Sequence, residues 1–261
     1  VPTTTNDGVS LYYETDGSGE TVTFVGDVGY GSWQWAWQYD ELAGPYETIV
    51  WDHRGTGRSD NPPGPYDIET LTADLEAILA ENSVRRTHLV GAGLGGMVAL
   101  QYADRYGRAS TLTLFGTAPS GTAVDEPQLR SLYPETDSLE SLKDSLEGAF
   151  SPEFLSENPD LVSQICEWRT EEDADRDGVD SQLAAMCSFE SPPLYEVTAP
   201  TLVLHGLADP VIDIDVGRRL AEELPRGSFE TVEGRHLCHV EHAHAVTDRL
   251  DGFLLDNSEE S

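Results

Sequence analysis

The period of the hydrophobic positions changes several times along the chain. Short β-branched or alternating runs over 9–13, 21–25, 48–51, 111–115, 201–205 and 228–232 fit strands, whose successive side chains face opposite ways. Helical periods stand between them. Ile68, Leu71, Leu75, Ile78 and Leu79 recur at the spacing of one helix face. Further helices are expected over 32–42, 216–224 and 242–255, with Pro225 ending the second of these. Strands alternating with helices predict an α/β fold, a mostly parallel sheet covered on both faces.

One stretch carries more than secondary structure. In "HLVGAGLGGMVALQYA", from His88 to Ala103, the apolar pair Leu89-Val90 enters a turn crowded with Gly91, Gly93 and Gly95, and an amphipathic helix follows. A strand, a sharp turn and a helix in that order can hold a nucleophile at the tip. The residue at the tip is Gly93, which has no side chain to attack with.

The alternation stops after about residue 121 and resumes near 196. Between them lie helical patterns and acid-rich loops such as "TEEDADRDG". That loop has no glutamate at the spacing a calcium loop requires, so it reads as an acidic, solvated connection. The expected organisation is a core over 1–121 and 196–261, with a helical cap over 122–195 inserted between two core strands.

Charge changes the picture next. The chain of 261 residues carries 48 acidic and 15 basic residues, a formal net charge of -33, and Lys143 is its one lysine. Such repulsion burdens a compact fold at low salt, and screening shortens to roughly 3 Å at 1 M. The acids are spread along the chain, which reads as adaptation to a salt-rich, halophilic cytoplasm. Nucleic acid is excluded as a partner, since phosphates need a basic patch. No run of eighteen apolar residues and no signal-like start is seen, so a soluble, cytoplasmic protein without membrane contact is expected. Cys166, Cys187 and Cys238 have neither disulfide nor zinc spacing.

Five segments in order resemble the α/β-hydrolase superfamily, most of all its compact esterase, lactonase and enol-lactonase-like members with a helical cap. They are "VTFVGDVGYGSW" at the oxyanion loop, "WDHRGTGRSD", "VGAGLGGM" at the nucleophile elbow, "LVLHGLADPV" at the acid strand and "VEGRHLCHVEHAHAV" at the histidine segment. The resemblance implies an eight-stranded, mostly parallel sheet with helices on both faces and a helical cap. It puts Asp209 at the acid position, His236 at the base position and Gly93 at the nucleophile position. The backbone N–H groups of Val28 and Leu94 fall at the oxyanion-hole positions.

The chain departs from the family twice. Glycine replaces serine at 93, and Gly26-Asp27 stands where a His-Gly pair is usual. An ionised Asp27 would oppose a developing oxyanion. Asp27 is therefore protonated, turned away, a base in its own right, or a turn aspartate bonding backbone N–H groups. Two linked departures read as natural divergence. Other candidates are weaker: Cys238 reads as a packing cysteine and Ser32 as a helix N-cap. The histidines at 236, 239, 242 and 244 read as a fortuitous cluster, and no metal or cofactor is expected. Asp52 and His53 open a loop beside the site that Arg54 and Arg58 hold. Of Trp33, Trp35 and Trp37, part should line a pocket or support the cap.

The expected function is action on a small organic ester, lactone or related carbonyl compound through an Asp209–His236 dyad without a serine. A non-catalytic ligand-binding protein and a serine hydrolase inactivated at position 93 are the alternatives. The oligomeric state is left open. The charge yields a direct expectation: melting temperature should climb by many degrees from about 0.1 M to about 3 M KCl, and a flat response would show that screening is not what this composition serves.

Overall fold

The computed structural model describes residues 2–134, 136 and 138–258. Eight strands, β1 (Thr3–Asn6), β2 (Val9–Gly17), β3 (Glu20–Val25), β4 (Tyr46–Trp51), β5 (Thr87–Ala92), β6 (Ala109–Phe115), β7 (Thr201–Gly206) and β8 (Gly227–Val232), form one sheet. Their order is β1-β2-β4-β3-β5-β6-β7-β8. Only β1 with β2 and β2 with β4 run antiparallel; the other neighbours are parallel.

Alternation along the central strands feeds two cores. Val22 and Phe24 of β3, Val90 of β5 and Leu202 and Leu204 of β7 pack with one face, while Leu89, Leu112, Leu114 and Val203 pack with the other. Helices α1 (Ala36–Leu42) and α11 (Ala243–Asp256) cover the first face. Helices α2 (Ile68–Glu81), α3 (Leu94–Arg105) and α9 (Ile214–Glu223) cover the second. All five apolar positions that marked α2 are buried. Asp67 caps that helix by accepting from Thr70 N–H at 2.8 Å.

Among the described residues, five α-helices lie between β6 and β7: α4 (Glu126–Ser131), α5 (Leu139–Ser145), α6 (Pro152–Glu157), α7 (Pro159–Glu172) and α8 (Arg176–Ser188). A one-turn helix, α10 (Cys238–Glu241), precedes α11. No described helix is long and apolar enough to cross a membrane.

Two details differ from the sequence expectation. Strand β1 is an added edge strand whose Thr-rich sequence alternates between half-buried and exposed and carries no apolar signal. The expected helix over 32–42 is a 3-10 turn, Ser32–Trp35, followed by α1, and its N-cap is Gly31. The Ser32 N–H is satisfied by Asp52 Oδ1 at 3.1 Å, so Ser32 is inside the turn and caps nothing.

The loop after β4 is anchored to α2 by a buried bidentate pair. Arg54 donates from Nε and from an Nη to the two oxygens of Asp74, each at 2.6 Å. The side chains are 8% and 0% exposed. Removing one partner strands the other in the interior, which costs about 3–5 kcal/mol. Arg54→Ala should therefore lower the urea-unfolding free energy by about that amount; a loss below about 1 kcal/mol, the range of a surface pair, would contradict the anchoring.

Candidate functional site

Four parallel strands deliver the site from their C-terminal ends. Asp27 follows β3, Gly93 follows β5, Asp209 follows β7 and His236 follows β8. A parallel sheet collects these loops at one edge, although they are far apart in sequence.

At the tip of the elbow Gly93 has φ 48° and ψ −111°, a conformation side-chain-bearing residues rarely adopt. Thr117 Oγ1 donates to Gly93 O at 2.7 Å and fixes the turn from β6. Space is the stronger constraint. A Cβ added at 93 would fall within the Asp27 carboxylate, closest to Oδ1. The Asp27 side chain fills the volume that a side chain at the elbow would need.

Asp27 is fully buried. Its Oδ1 accepts from Val28 N–H at 2.7 Å and from Leu94 N–H at 2.9 Å. Its Oδ2 lies 2.9 Å from His236 Nε2. On the other side of the ring, His236 Nδ1 is 3.0 and 2.9 Å from the two oxygens of Asp209. Asp209 Oδ1 also accepts from the N–H groups of Val211 and Ile212, which locks the acid in its turn. The expected pairing of Asp209 with His236 is present in the geometry. The far side of the ring meets the Asp27 carboxylate.

Electrostatics follow from this sandwich. Burial disfavours the imidazolium of His236, but the charge and hydrogen bonds of Asp209, joined by those of Asp27, outweigh it and push its pKa up to about 10. Burial likewise works against an ionised Asp27, yet His236 and the N–H groups of Leu94 and Val28 hold it below the usual carboxylate range. Asp27 is thus neither turned away nor neutral. A raised histidine pKa stabilises the folded state fully below its ordinary value of 6.5, and that contribution is lost as pH rises through about 10.

Several groups that the sequence reading missed hold the loop carrying Asp27. Gln34 Oε1 accepts from Asp27 N–H at 3.1 Å, and Gln34 Nε2 donates to the carbonyls of Tyr30 and Gly31. His53, placed beside the site as expected, donates from Nε2 to Gly26 O at 2.9 Å. From α8, Gln182 accepts from Gly29 N–H at 2.7 Å and donates to Arg54 O and Thr56 Oγ1. Tyr133 donates to Val28 O. Isolated polar residues such as these carry no hydrophobic period by which the sequence could reveal them.

The "TEEDADRDG" segment departs from the solvated loop expected of it. Glu172 accepts from Trp33 N–H, and Asp173 accepts from Trp33 Nε1 at 2.8 Å and from Gly31 N–H. The buried Arg169 neutralises Asp173 across 2.7 Å. Asp175 caps α8 through Gly178 N–H. These acids fasten the helices after β6 to the loop of Asp27. Trp33 and Trp37 pack on Trp168 of α7, whereas Trp35 packs in the core on Phe24 of the central strand β3 and on His239.

The remaining candidates separate. Cys238 is buried, and burial pushes its thiol far above the ordinary value. His239 is buried under Trp35 and held neutral by burial, its pKa pulled down to about 3. His242 and His244 sit at the surface beside Glu241 and Glu41. Among the described residues no group of three or more His, Cys, Asp or Glu could hold a metal ion.

The overlap at position 93 predicts the effect of restoring a hydroxyl there. Gly93→Ser should lower the melting temperature, both through backbone strain of about 1–3 kcal/mol and through the clash with Asp27. Adding Asp27→Gly should recover part of the loss and allow a serine-directed phosphonate to label Ser at 93. A Gly93→Ser protein as stable as the parent would contradict the overlap.

Comparison with known proteins agrees with this architecture. Residues 24–249 match the model of the alpha/beta hydrolase family. A 3-oxoadipate enol-lactonase of Acinetobacter baylyi is 25% identical over 262 residues, covering 97% of this chain and 96% of that protein. A 2-hydroxy-6-oxononadienedioate/2-hydroxy-6-oxononatrienedioate hydrolase of Paraburkholderia phymatum is 29% identical, covering 94% of this chain and 90% of that one. Among solved structures, the enol-lactonase from Burkholderia xenovorans superposes with a TM-score of 0.87 at 24% identity, over 97% of this chain and 100% of that one. With its eight-stranded sheet, its glycine elbow and a family match over most of its length, the chain belongs to the alpha/beta hydrolase family.

Proposed function

We propose that this protein hydrolyses a small organic ester, lactone or related carbonyl compound, and that Asp27, His236 and Asp209 take the place of the family's serine, histidine and acid. One observation carries the reading: Asp27 Oδ2 lies 2.9 Å from His236 Nε2, the contact with the base that a reacting group needs, and its Oδ1 is fixed by the Val28 and Leu94 N–H groups. A carboxylate needs no deprotonation to attack. Asp209 fixes the ring, and the His236 imidazolium can deliver a proton to a leaving oxygen. The names of the relatives, enol-lactonase and dienedioate hydrolase, support hydrolysis of small carbonyl compounds as the reaction class.

Space for a substrate lies among the helices after β6. A cavity of about 540 Å³ is lined there by Tyr133, Leu142, Arg169, Thr170 and Val179, among others. Tyr133 joins it to the loop of Asp27.

A second reading, a ligand-binding member without chemistry, is favoured by one feature: the side chains of Asp27, His236 and Asp209 are each at most 1% exposed. The third, a serine hydrolase silenced at 93 alone, is opposed by the overlap of Asp27 with any side chain there.

Purified protein assayed on a panel of small esters, lactones and enol-lactones should show turnover. Asp27→Asn and His236→Gln should each reduce kcat by at least about 100-fold while the circular dichroism spectrum is retained. Tight calorimetric binding of such compounds with no turnover would instead favour the ligand-binding reading.

A further inference from the structure

We infer that His205 is a positioning residue for the acid: from the end of β7 its Nε2–H closes the turn from Asp209 to Ile212, and the closed turn aims both oxygens of Asp209 at His236 Nδ1. The inference deepens the proposed function, on which its kinetic readout rests; its spectroscopic readout does not depend on turnover.

Strand alternation sets the direction of the ring. Leu202 and Leu204 of β7 face the core beneath α11, so Val203 and His205 face α9. Helix α9 comes close because its residue 217 is glycine: a Cβ there would fall 2.5 Å from His205 Nδ1. The ring is wholly buried. Its Nε2 lies 2.9 Å from Ile212 O, and since a carbonyl oxygen only accepts, Nε2 carries the proton. Nδ1 then carries the lone pair, and it finds no hydrogen-bond partner among the described residues. Leaving a buried polar atom unpaired is unfavourable. Leucine or methionine would fill the same space without that cost, so packing does not account for a histidine here. The bond from Nε2 does.

What that bond holds is the seat of the acid. Asp209 Oδ1 accepts from Val211 N–H at 2.8 Å and from Ile212 N–H at 3.2 Å. Those donors face the carboxylate only while the backbone from 209 to 212 stays folded back on its own side chain. Asp209 closes this turn from inside, and His205 closes it from the sheet by taking the carbonyl of Ile212. The outer side of the turn rests on the segment leading to α4, where Asp125 N–H donates to Val211 O at 2.9 Å and Val124 pairs with Ile212. The same Nε2 of His205 lies 3.6 Å from Asp209 Oδ2. The positive end of its N–H dipole therefore stands beside the oxygen that is 2.9 Å from His236 Nδ1.

The consequence for the histidine has a definite sign. Without the donor at 205, the Ile212 carbonyl loses its partner and the turn loses its tie to β7. Asp209 then meets Nδ1 of His236 less squarely. The imidazolium loses part of the negative charge and hydrogen bonding that favour it, so its proton leaves at lower pH. A ring that is held less firmly also orients Nε2 less well toward a reacting group.

Three substitutions separate the nitrogens of His205. A glutamine amide reaches as far as Nε2, an asparagine amide only as far as Nδ1, and methionine matches glutamine in length but has no donor. In ¹⁵N-histidine spectra, the His236 imidazolium should lose its proton about one pH unit lower in His205→Met and in His205→Asn than in the parent, a loss of about tenfold in proton affinity. His205→Gln should return the titration to the parent value. On whichever ester or lactone is turned over, kcat should follow the same order, falling about tenfold in His205→Met and His205→Asn with KM within about threefold, because the ring orients the acid and touches no substrate. Should His205→Met fail to fold, His205→Asn, which keeps a polar amide in the buried site, decides. A folded His205→Met or His205→Asn protein in which His236 titrates as in the parent would overturn the inference. So would a His205→Gln protein shifted as far as His205→Met. Absence of turnover in the parent would count against the proposed function alone and leave the titration to decide the role of His205.

Discussion

A carboxylate buried without water stays ionised only where donors surround it, and the whole end of this sheet is arranged around that requirement. Asp27 receives two backbone N–H groups on one oxygen and the imidazolium of His236 on the other. His236 keeps its proton because a second carboxylate, Asp209, sits on its opposite nitrogen. Two carboxylates and one imidazolium leave one negative charge, shared among the N–H groups of Val28, Leu94, Val211 and Ile212. Removing His236 would leave two buried carboxylates without a counter-charge, and removing either carboxylate would orphan the backbone N–H groups that it accepts from.

The glycine at the elbow belongs to the same arrangement. A side chain at 93 and a carboxylate at 27 compete for one volume, so the glycine and the placement of Asp27 depend on each other. The helices after β6 are tied to it as well. Gln182, Glu172 and Asp173 hold backbone N–H groups of residues 29–33, and Tyr133 holds the carbonyl of Val28. Displacement of those helices would be felt at the donors of Asp27.

Much of this was legible in the sequence. The strands that alternate cleanly and α2 were read close to their observed bounds, because one buried face imposes a period on the residues. Strand β1 was not, because a threonine-rich edge strand exposes one face and buries little with the other. The partnership of Asp209 with His236 followed from motif order. Where the Asp27 carboxylate points did not follow, since spacing along a loop does not reveal which N–H groups a side chain will meet. The same holds for Gln34 and Gln182, and for Glu172 and Asp173, whose acid-rich surroundings suggested water on all sides. Buried polar contacts between loops leave no periodic trace.

The protonation state of His236 tests the account most directly. In protein labelled with ¹⁵N-histidine, the proton–nitrogen spectrum near pH 8 should show N–H signals from both ring nitrogens of His236, persisting until the pH approaches about 10. Asp27→Asn should bring the titration down toward the ordinary value. A singly protonated His236 near pH 8, titrating close to about 6.5 in the parent protein, would mean that Asp27 does not hold the imidazolium and would contradict the account.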